Sequence, residues 1–226
     1  MLEISGVCKC YGQHEVLRDV SLTIGQEIRV IIGLNGSGKS TLLKIIAGIL
    51  AADAGQVVLN GRDVSALPPE ERRVGYVPQH PALFSHLIVR ENVRYGLRGG
   101  RGSDELVQKV VKMLDLEDVL ERKPEELSGG YKSRTSLARA LAPQPQVMLL
   151  DEPLSDIDVA IKEKLLPEFR EVLKFLKVPV LYVTHDPWEA EQIGDSFSVM
   201  VDGCIRDIAS AEEAFAFIRK NRIEVA

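Results

Sequence analysis

Residues 33–40 have the spacing of a phosphate-binding loop. They read Gly-Leu-Asn-Gly-Ser-Gly-Lys-Ser and fit the pattern G-x-x-x-x-G-K-[ST]. The glycines allow backbone N–H groups to turn towards phosphate oxygens, Lys39 reaches the β- and γ-phosphates, and the Ser40 hydroxyl ligates Mg²⁺. The apolar stretch 28–32 and the helical pattern after the loop supply a strand and a helix, whose positive end would face the phosphates. The sequence therefore predicts a site for a nucleoside triphosphate.

A pair of carboxylates follows a second apolar stretch. Residues 147–150 are Val-Met-Leu-Leu, and Asp151 and Glu152 come next. Such a strand delivers its last side chains to the edge at which open α/β sheets bind ligands. Asp151 could hold Mg²⁺ opposite Ser40, and Glu152 could orient and deprotonate an attacking water. Alone, the pattern also fits a capped loop. Together with residues 33–40 it predicts nucleotide hydrolysis.

A third segment, residues 127–131, reads Leu-Ser-Gly-Gly-Tyr and precedes a helical pattern. A serine hydroxyl and glycine amides at a helix start form a ready anion site. A flexible helix cap would have the same composition. The other two segments favour the anion site over the cap.

With these three segments the chain resembles the ATP-binding-cassette ATPase family, over essentially its whole length. In that family the segment with Ser128, Gly129 and Gly130 is the signature motif, and it completes the nucleotide site of the opposing subunit. The resemblance implies that ATP and Mg²⁺ bind between two chains of a head-to-tail homodimer. It further implies that ATP closes the dimer and that hydrolysis loosens it, which drives a partner.

The resemblance also implies roles for single residues. Gln79 matches the glutamine that contacts Mg²⁺ and senses the membrane partner, His185 the switch histidine at the γ-phosphate, and Tyr11 the aromatic residue under adenine. A histidine after a strand is more often structural, and Tyr11 could simply cover a turn, but the order of the motifs favours the functional roles. The expected catalytic residues are Glu152, His185 and Lys39, and the expected metal ligands are Ser40, Gln79 and Asp151. The expected nucleotide contacts are Tyr11, Val16, Gly33, Leu34, Asn35, Gly36, Ser37, Gly38, Lys39, Ser40, Thr41, Gln79, Ser128, Gly129, Gly130 and Asp158.

The chain departs from the family pattern at two places. Tyr131 stands where the signature usually has Gln or Glu, and Asp156-Ile157 stand where the D-loop usually has small apolar residues. Neither departure removes a catalytic group. Both fall where two subunits are expected to meet, so they bear on dimer affinity and turnover.

The remaining pattern predicts an α/β fold, namely a P-loop NTPase core with a parallel sheet. Strands at 2–7 and 16–24 and a hairpin turn at Asn60-Gly61 predict an N-terminal antiparallel subdomain. Residues 89–141 are helix-periodic and predict a helical insertion, with a flexible loop at 99–102 and a cap at Ser103. Strands at 147–150 and 180–183 flank a helix at 159–176. A second hairpin turn is expected at 202–203 and a last helix at 211–219, all within one domain, 1–226.

Composition narrows the function classes. The chain has 226 residues, 45% of them apolar, and a net charge of −5, so it offers no basic footprint for nucleic acid. The apolar stretches are strand-sized, no signal segment opens the chain, and the three cysteines are expected as reduced thiols. A cytosolic chain is expected. The resemblance places it peripherally on the cytoplasmic face of the cell membrane.

Within the family, residues 67–79 and 82–87 look most like importer subunits, nearest to molybdate and tungstate importers. This implies integral membrane permease subunits as partners, and indirectly an extracytoplasmic solute-binding protein. The sequence stops at Ala226, so no C-terminal regulatory barrel is expected. Lys39 and Ser128 are too close in sequence to enclose the long coiled coil of DNA-repair ATPases. An exporter subunit and a soluble ATPase of the same family remain as alternatives.

Overall fold

The computed structural model describes residues 1–97 and 100–223, and the strands found there form two sheets. The strands are β1 (Leu2–Tyr11), β2 (His14–Ile24), β3 (Ile28–Ile32), β4 (Ala54–Leu59), β5 (Arg62–Asp63), β6 (Val74–Val77), β7 (Val147–Asp151), β8 (Val180–Thr184), β9 (Ser196–Val201) and β10 (Cys204–Ile208). The helices are α1 (Lys39–Ala47), α2 (Pro69–Arg72), α3 (Val89–Arg94), α4 (Asp104–Met113), α5 (Gly129–Leu141), α6 (Val159–Phe175), α7 (Pro187–Ile193) and α8 (Ala211–Ile223).

The smaller sheet is antiparallel, as predicted for the N-terminal part of the chain. Its strand order is β2-β1-β4-β5, and β1 pairs with both β2 and β4. Asn60 and Gly61 join β4 to β5 with φ of 49° and 79°. Positive φ at both central residues matches the right-handed twist of the strands and explains why Asn-Gly stands there.

The larger sheet has the order β10-β9-β3-β8-β7-β6. The pairs β3–β9, β3–β8, β7–β8 and β6–β7 are parallel, and β10 adds an antiparallel edge. The turn between β9 and β10 uses Asp202 and Gly203, with φ of 47° and 76°, as predicted. Strand β6 was not predicted, because it is only four residues long and contains Gly75.

The central strands of the larger sheet are buried on both faces. In β7, Met148 and Leu150 face one apolar core while Val147 and Leu149 face the other, because successive side chains of a strand point to opposite sides. The first core packs against helices that include α4 to α8, and the second against α1 and the antiparallel sheet. This double burial accounts for the unbroken apolar stretches and confirms the predicted α/β class.

The chain between β6 and β7 is helical in its described part. It contains α3, α4 and α5 together with short 3-10 turns at Tyr95–Leu97, Glu117–Val119 and Pro124–Glu126. The Ser103 hydroxyl caps α4 by accepting a hydrogen bond from the Leu106 N–H at 3.1 Å, as predicted. Gly99 of the expected loop lies outside the described residues.

Helix α8 begins at Ala211 as expected, but it continues to Ile223 rather than ending near 219. Ala226 lies outside the described residues. Over the ranges 1–97 and 100–223, none of the helices has both the length and the apolar composition that a membrane crossing requires.

The parallel pairing brings three chain segments to one edge of the larger sheet. Ile32, the last residue of β3, pairs with Thr184 at the end of β8, and Val183 pairs with Asp151 at the end of β7. The loops that follow these strands therefore lie side by side at the carboxyl edge, where open α/β sheets bind ligands.

Candidate active site

Residues 33–40 form a tight loop between β3 and α1. Gly36 and Gly38 have φ of 83° and 105°, a region that side-chain-bearing residues rarely adopt. A Cβ atom on Gly38 would lie 2.8 Å from the Val16 carbonyl oxygen, so only glycine fits where the loop passes β2. Helix α1 begins directly after it, at Lys39, and its N-terminal N–H groups face the loop region.

The Lys39 side chain lies inside this loop and is only 4% exposed. Its Nζ donates hydrogen bonds to the carbonyl oxygens of Gly33 and Leu34, both at 2.9 Å, and lies 3.6 Å from Oε1 of Glu152. Burial lowers the pKa of Lys39 from its ordinary 10.5, while the charges of Glu152 and Asp151 act in the opposite direction. The ammonium is thus fixed beside the loop and beside the carboxylates.

Asp151 is buried at the end of β7 and accepts two side-chain hydrogen bonds. Ser40 Oγ donates to its Oδ1 at 2.8 Å, and the Tyr76 hydroxyl donates to its Oδ2 at 3.0 Å. Burial raises the pKa of Tyr76, and the charge of Asp151 adds a smaller effect in the same direction, so this phenol stays a proton donor. Ser40 and Asp151, predicted to face each other across a metal, are therefore direct neighbours.

Glu152, the residue after β7, lies under the loop that follows β8. Its Oε2 is 2.6 Å from Nδ1 of His185, and the side chain of Glu152 is almost fully buried. The Glu152 N–H donates to the Val183 carbonyl oxygen at 3.0 Å. The φ of Glu152 is 46°, an unusual left-handed conformation for a residue other than glycine, and such conformations concentrate at functional sites.

A cavity of about 380 Å³ opens between the phosphate-binding loop and the antiparallel sheet. Every residue that lines it was among the predicted site residues. They are Tyr11, Val16, Asn35, Gly36, Ser37, Gly38, Lys39, Ser40, Thr41, Gln79 and Glu152. Tyr11 is 53% exposed at its edge, so its ring offers an open surface for stacking.

Six predicted contact residues lie outside this cavity lining. Two of them, Gly33 and Leu34, begin the phosphate-binding loop itself, and the other four belong to distant segments. Ser128 precedes α5, is exposed, and makes no side-chain capping bond to its own helix. Gly129 and Gly130 open that helix, and Asp158 is an exposed residue at the start of α6. The structure therefore separates the signature segment from the phosphate-binding loop of the same chain.

The two departures from the family pattern have partners within the chain. Tyr131 is half-buried, with the Arg134 guanidinium 5.4 Å from its ring centroid. Nδ1 of His80, the residue after Gln79, lies 2.7 Å from Oδ2 of Asp156. This contact joins the segment of Gln79 to the D-loop. Ile157 packs so closely over Gly129 that a Cβ atom there would lie 2.9 Å from Ile157 Cδ1.

The donor set fits a nucleotide phosphate with Mg²⁺. Ser37 Oγ is buried in the loop without a hydrogen-bond partner, which a phosphate oxygen would supply. Ser40, Asp151 and Gln79 offer oxygen ligands, the type that Mg²⁺ prefers. In residues 1–97 and 100–223, no group of three or more His, Cys, Asp or Glu side chains could hold a metal ion. A magnesium ion here would therefore depend on phosphate oxygens as well.

Residues that sequence reasoning missed also contact this machinery. Tyr76 reaches Asp151 from β6, a strand whose position in the sheet no local pattern reveals. Thr184 and Glu189 lie behind His185 and are nearly inaccessible to solvent. Thr184 is the polar residue that follows the apolar stretch 180–183, and no other sequence signal singles it out. The three cysteines are free thiols.

The order of β3, loop and α1, with Asp151 at the end of β7 in the same parallel sheet, defines a P-loop nucleotide-binding fold. The sequence profile of the family described as ABC transporter matches residues 17–155, which is more than half of the chain. The chain belongs to the ABC transporter family, as its motifs predicted.

Curated relatives agree with this assignment. The chain is 44% identical over 200 residues to the molybdate/tungstate import ATP-binding protein WtpC of Archaeoglobus fulgidus, covering 88% of this chain and 83% of that protein. It is 41% identical over 221 residues to the WtpC protein of Pyrococcus abyssi, covering 96% of this chain and 64% of that one. The sulfate/thiosulfate import ATP-binding protein CysA of Methylococcus capsulatus is 40% identical, with coverages of 95% and 64%. The chain thus spans under two thirds of the length of the latter two.

Solved structures share the whole architecture. A dimeric bacterial ABC transporter cassette is 29% identical and superimposes with a TM-score of 0.82, covering 93% of this chain and 99% of that one. An ATP-binding cassette in its ADP conformation is 26% identical, with a TM-score of 0.85 and coverages of 98% and 96%. The predicted fold class is confirmed.

Proposed function

We propose that this chain is the ATP-hydrolysing subunit of a membrane importer for a small oxyanion. One observation carries the hydrolytic part of this proposal. A single cavity is lined by the phosphate-binding loop, Gln79 and Glu152, while Glu152 is held against His185. Nucleotide binding alone would not require a buried carboxylate and a histidine beside the phosphate loop.

In the proposed hydrolysis, different residues bind the phosphates, accept the proton and position the carboxylate. The loop N–H groups, the end of α1 and the Lys39 ammonium hold the phosphates of ATP and offset the charge that grows in the transition state. Glu152 accepts a proton from the attacking water, whose oxygen bonds to the γ-phosphorus while the bond to the bridging oxygen of ADP breaks. His185 fixes the Glu152 carboxylate. Ser40, Asp151 and Gln79 would hold Mg²⁺, which would supply further charge neutralisation.

Each site is completed by a second copy of the chain. Ser128, Gly129 and Gly130 combine a free hydroxyl with the N-terminus of a thirteen-residue helix, and they do not line the cavity of their own chain. In a head-to-tail homodimer, this helix end would face the γ-phosphate in the partner's cavity. That a solved cassette of the same fold is dimeric supports the pairing of two chains.

The choice of an oxyanion importer rests on the relatives. The proteins similar over most of the chain are import ATP-binding proteins for molybdate, tungstate or sulfate. In this proposal the chain sits at the cytoplasmic face of the membrane, and its movement on hydrolysis is passed to permease subunits that receive the oxyanion from an extracytoplasmic binding protein.

The hydrolysis experiment compares the wild-type chain with Glu152→Gln. The variant keeps the shape of the site but loses the proton acceptor, so ATP binding should stay within a few-fold and phosphate release should fall at least a hundredfold. Glu163→Gln removes an exposed carboxylate on α6 and should match the wild type. Wild-type release at the level of the buffer, or full activity in Glu152→Gln, would refute the catalytic assignment.

The transport part has its own test. Co-expression with a permease encoded beside this chain should yield a complex, and molybdate, tungstate or sulfate with the binding protein should stimulate its ATPase rate. Stimulation by a substrate on the cytoplasmic side, without a binding protein, would indicate an exporter. Hydrolysis without any permease association would indicate a soluble ATPase.

A further inference from the structure

Behind the candidate active site lies a buried polar cluster that no catalytic role accounts for. It joins β8, α6 and α7, and its centre is the Glu189 carboxylate, which is 2% exposed. Tyr182 donates its hydroxyl to Oε1, and Thr184 donates its hydroxyl to Oε2 at 3.0 Å. The Lys162 ammonium lies 3.6 Å from Oε2. Because a buried carboxyl group is destabilising when it lacks hydrogen-bond partners, the three neighbours of Glu189 hold its side chain in one position.

The cluster fixes the two residues that flank His185 in the sequence. Thr184 Oγ1, while donating to Glu189, accepts the backbone N–H of Asp186 at 3.0 Å. Lys162 Nζ lies 3.5 Å from Oδ2 of Asp186, whose Oδ1 accepts the N–H of Trp188 and so caps α7. His185 is therefore the one residue between two anchored neighbours.

The same threonine ties this segment to the phosphate-binding loop. Its carbonyl oxygen accepts the Gly33 N–H at 3.4 Å, at the point where β3 enters the loop. His185 itself is half-exposed and reaches Glu152 with Nδ1. A shift of the Thr184 backbone would consequently move the imidazole relative to the carboxylate that it holds.

We propose that Glu189, acting through the Thr184 hydroxyl, is a positioning residue that sets the distance between His185 and Glu152. This inference rests on the proposed hydrolytic function. Thr184 has one hydroxyl proton, which it donates to Oε2 of Glu189, while a lone pair of the same hydroxyl accepts the Asp186 N–H. Glu189 therefore has to present an oxygen acceptor to Thr184.

Two variants break the connection without leaving a large cavity. Thr184→Val keeps the shape and deletes the hydroxyl. Glu189→Met keeps a side chain of similar length and removes the oxygen that accepts the Thr184 hydroxyl. Each should lower kcat for ATP about tenfold while KM stays within twofold, because the phosphate cradle is untouched. Thr184→Ser, which restores the hydroxyl, should recover most of the rate.

A double-mutant cycle separates positioning from general destabilisation. In a His185→Ala background, Thr184→Val should cause no further loss of rate, because its effect passes through the missing imidazole. Ser198→Ala is the matched control, since it deletes a buried hydroxyl on β9 that bonds to Asp207. This control should leave the rate unchanged.

A spectroscopic reading does not depend on turnover. The ring ¹⁵N signals of His185 should report the bond to Glu152 in the wild type and in Thr184→Ser, and should shift in Thr184→Val and Glu189→Met. Additive loss of rate in the double mutant, or unshifted His185 signals in Thr184→Val, would overturn the proposal. If the wild type fails to hydrolyse ATP, the proposed function fails separately and the ring signals decide this inference.

Discussion

Nδ1 of His185 and Oε2 of Glu152 lie 2.6 Å apart, so that the loop after β8 touches the residue after β7. Glu152 also has Lys39 at 3.6 Å from its other oxygen. The same carboxylate thus contacts both Lys39 of the phosphate-binding motif and His185 of the loop after β8. A displacement of either element should therefore move the Glu152 carboxylate, the group that we assign to water activation.

Lys39→Ala should weaken ATP binding itself. The variant deletes a buried charge from the cradle, and hydrogen bonds to charged groups contribute enough that affinity should fall about tenfold to a hundredfold. Isothermal calorimetry measures this directly. Lys44→Ala, which removes an exposed lysine further along α1, should bind ATP as the wild type does. Equal affinities of both variants would contradict the assignment of the loop.

Ser128→Arg should abolish ATP-driven dimerisation and leave ATP binding to the single chain intact. The reason is that Ser128 lies outside the cavity lining of its own chain, and in the proposed dimer it serves the partner's phosphate. Light scattering in a Glu152→Gln background, with and without ATP, provides the measurement. Gln108→Arg adds the same charge on the exposed side of α4 and should still dimerise. Weaker nucleotide binding to the Ser128→Arg monomer would mean that the signature acts within its own chain.

Tyr131→Gln should change dimerisation or turnover more than ATP affinity. The Tyr131 ring packs beside Arg134, which also binds Glu168, so the substitution alters the surface next to the signature rather than the cavity. Comparing the dimer midpoint, kcat and the ATP dissociation constant in one series tests this. A change confined to ATP affinity would place Tyr131 at its own nucleotide site instead.

Lys162→Met should make stability more sensitive to pH. Burial raises the pKa of Glu189 above its ordinary 4.5, whereas Lys162 and the bonds from Tyr182 and Thr184 pull it down. The folded protein therefore holds this proton more tightly than the unfolded chain, and the free energy of unfolding falls as pH rises from 4.5 through the folded pKa. Removing Lys162 raises that pKa further and widens the window.

Urea unfolding at several pH values between 4.5 and 7 measures this slope for the wild type and the variant. Lys164→Met, on the exposed side of the same helix, is the control and should keep the wild-type slope. A slope in Lys162→Met no steeper than that of the wild type would show that Lys162 does not stabilise the Glu189 charge.

Most of the local chemistry was predictable because it is contiguous in the sequence. Residues 33–40 carry their own turn geometry, since Gly36 and Gly38 allow the positive φ that the loop adopts. The hairpin turns at Asn60 and Asp202 follow from the same rule. The apolar stretches before Asp151 and His185 predicted β7 and β8 because buried strands need side chains for two cores.

The sheet order depended on the tertiary structure. Parallel neighbours are joined by long crossovers, so the pairing of β3 with β8 and of β8 with β7 is set by packing between distant segments. That pairing brings Glu152 into contact with both Lys39 and His185. Strand β6 and the hydrogen bond from Tyr76 to Asp151 were likewise identified only from the tertiary structure.

The sequence by itself determined which residues we propose for the chemistry, because motif identity and spacing are local properties of the chain. Only the tertiary structure decided which of them meet. It joined Ser40 to Asp151 and Glu152 to His185, left Ser128 outside the cavity, and placed Glu189 behind Thr184. These outcomes depend on burial and on hydrogen-bond partners supplied by remote strands and helices, which no window of the sequence contains.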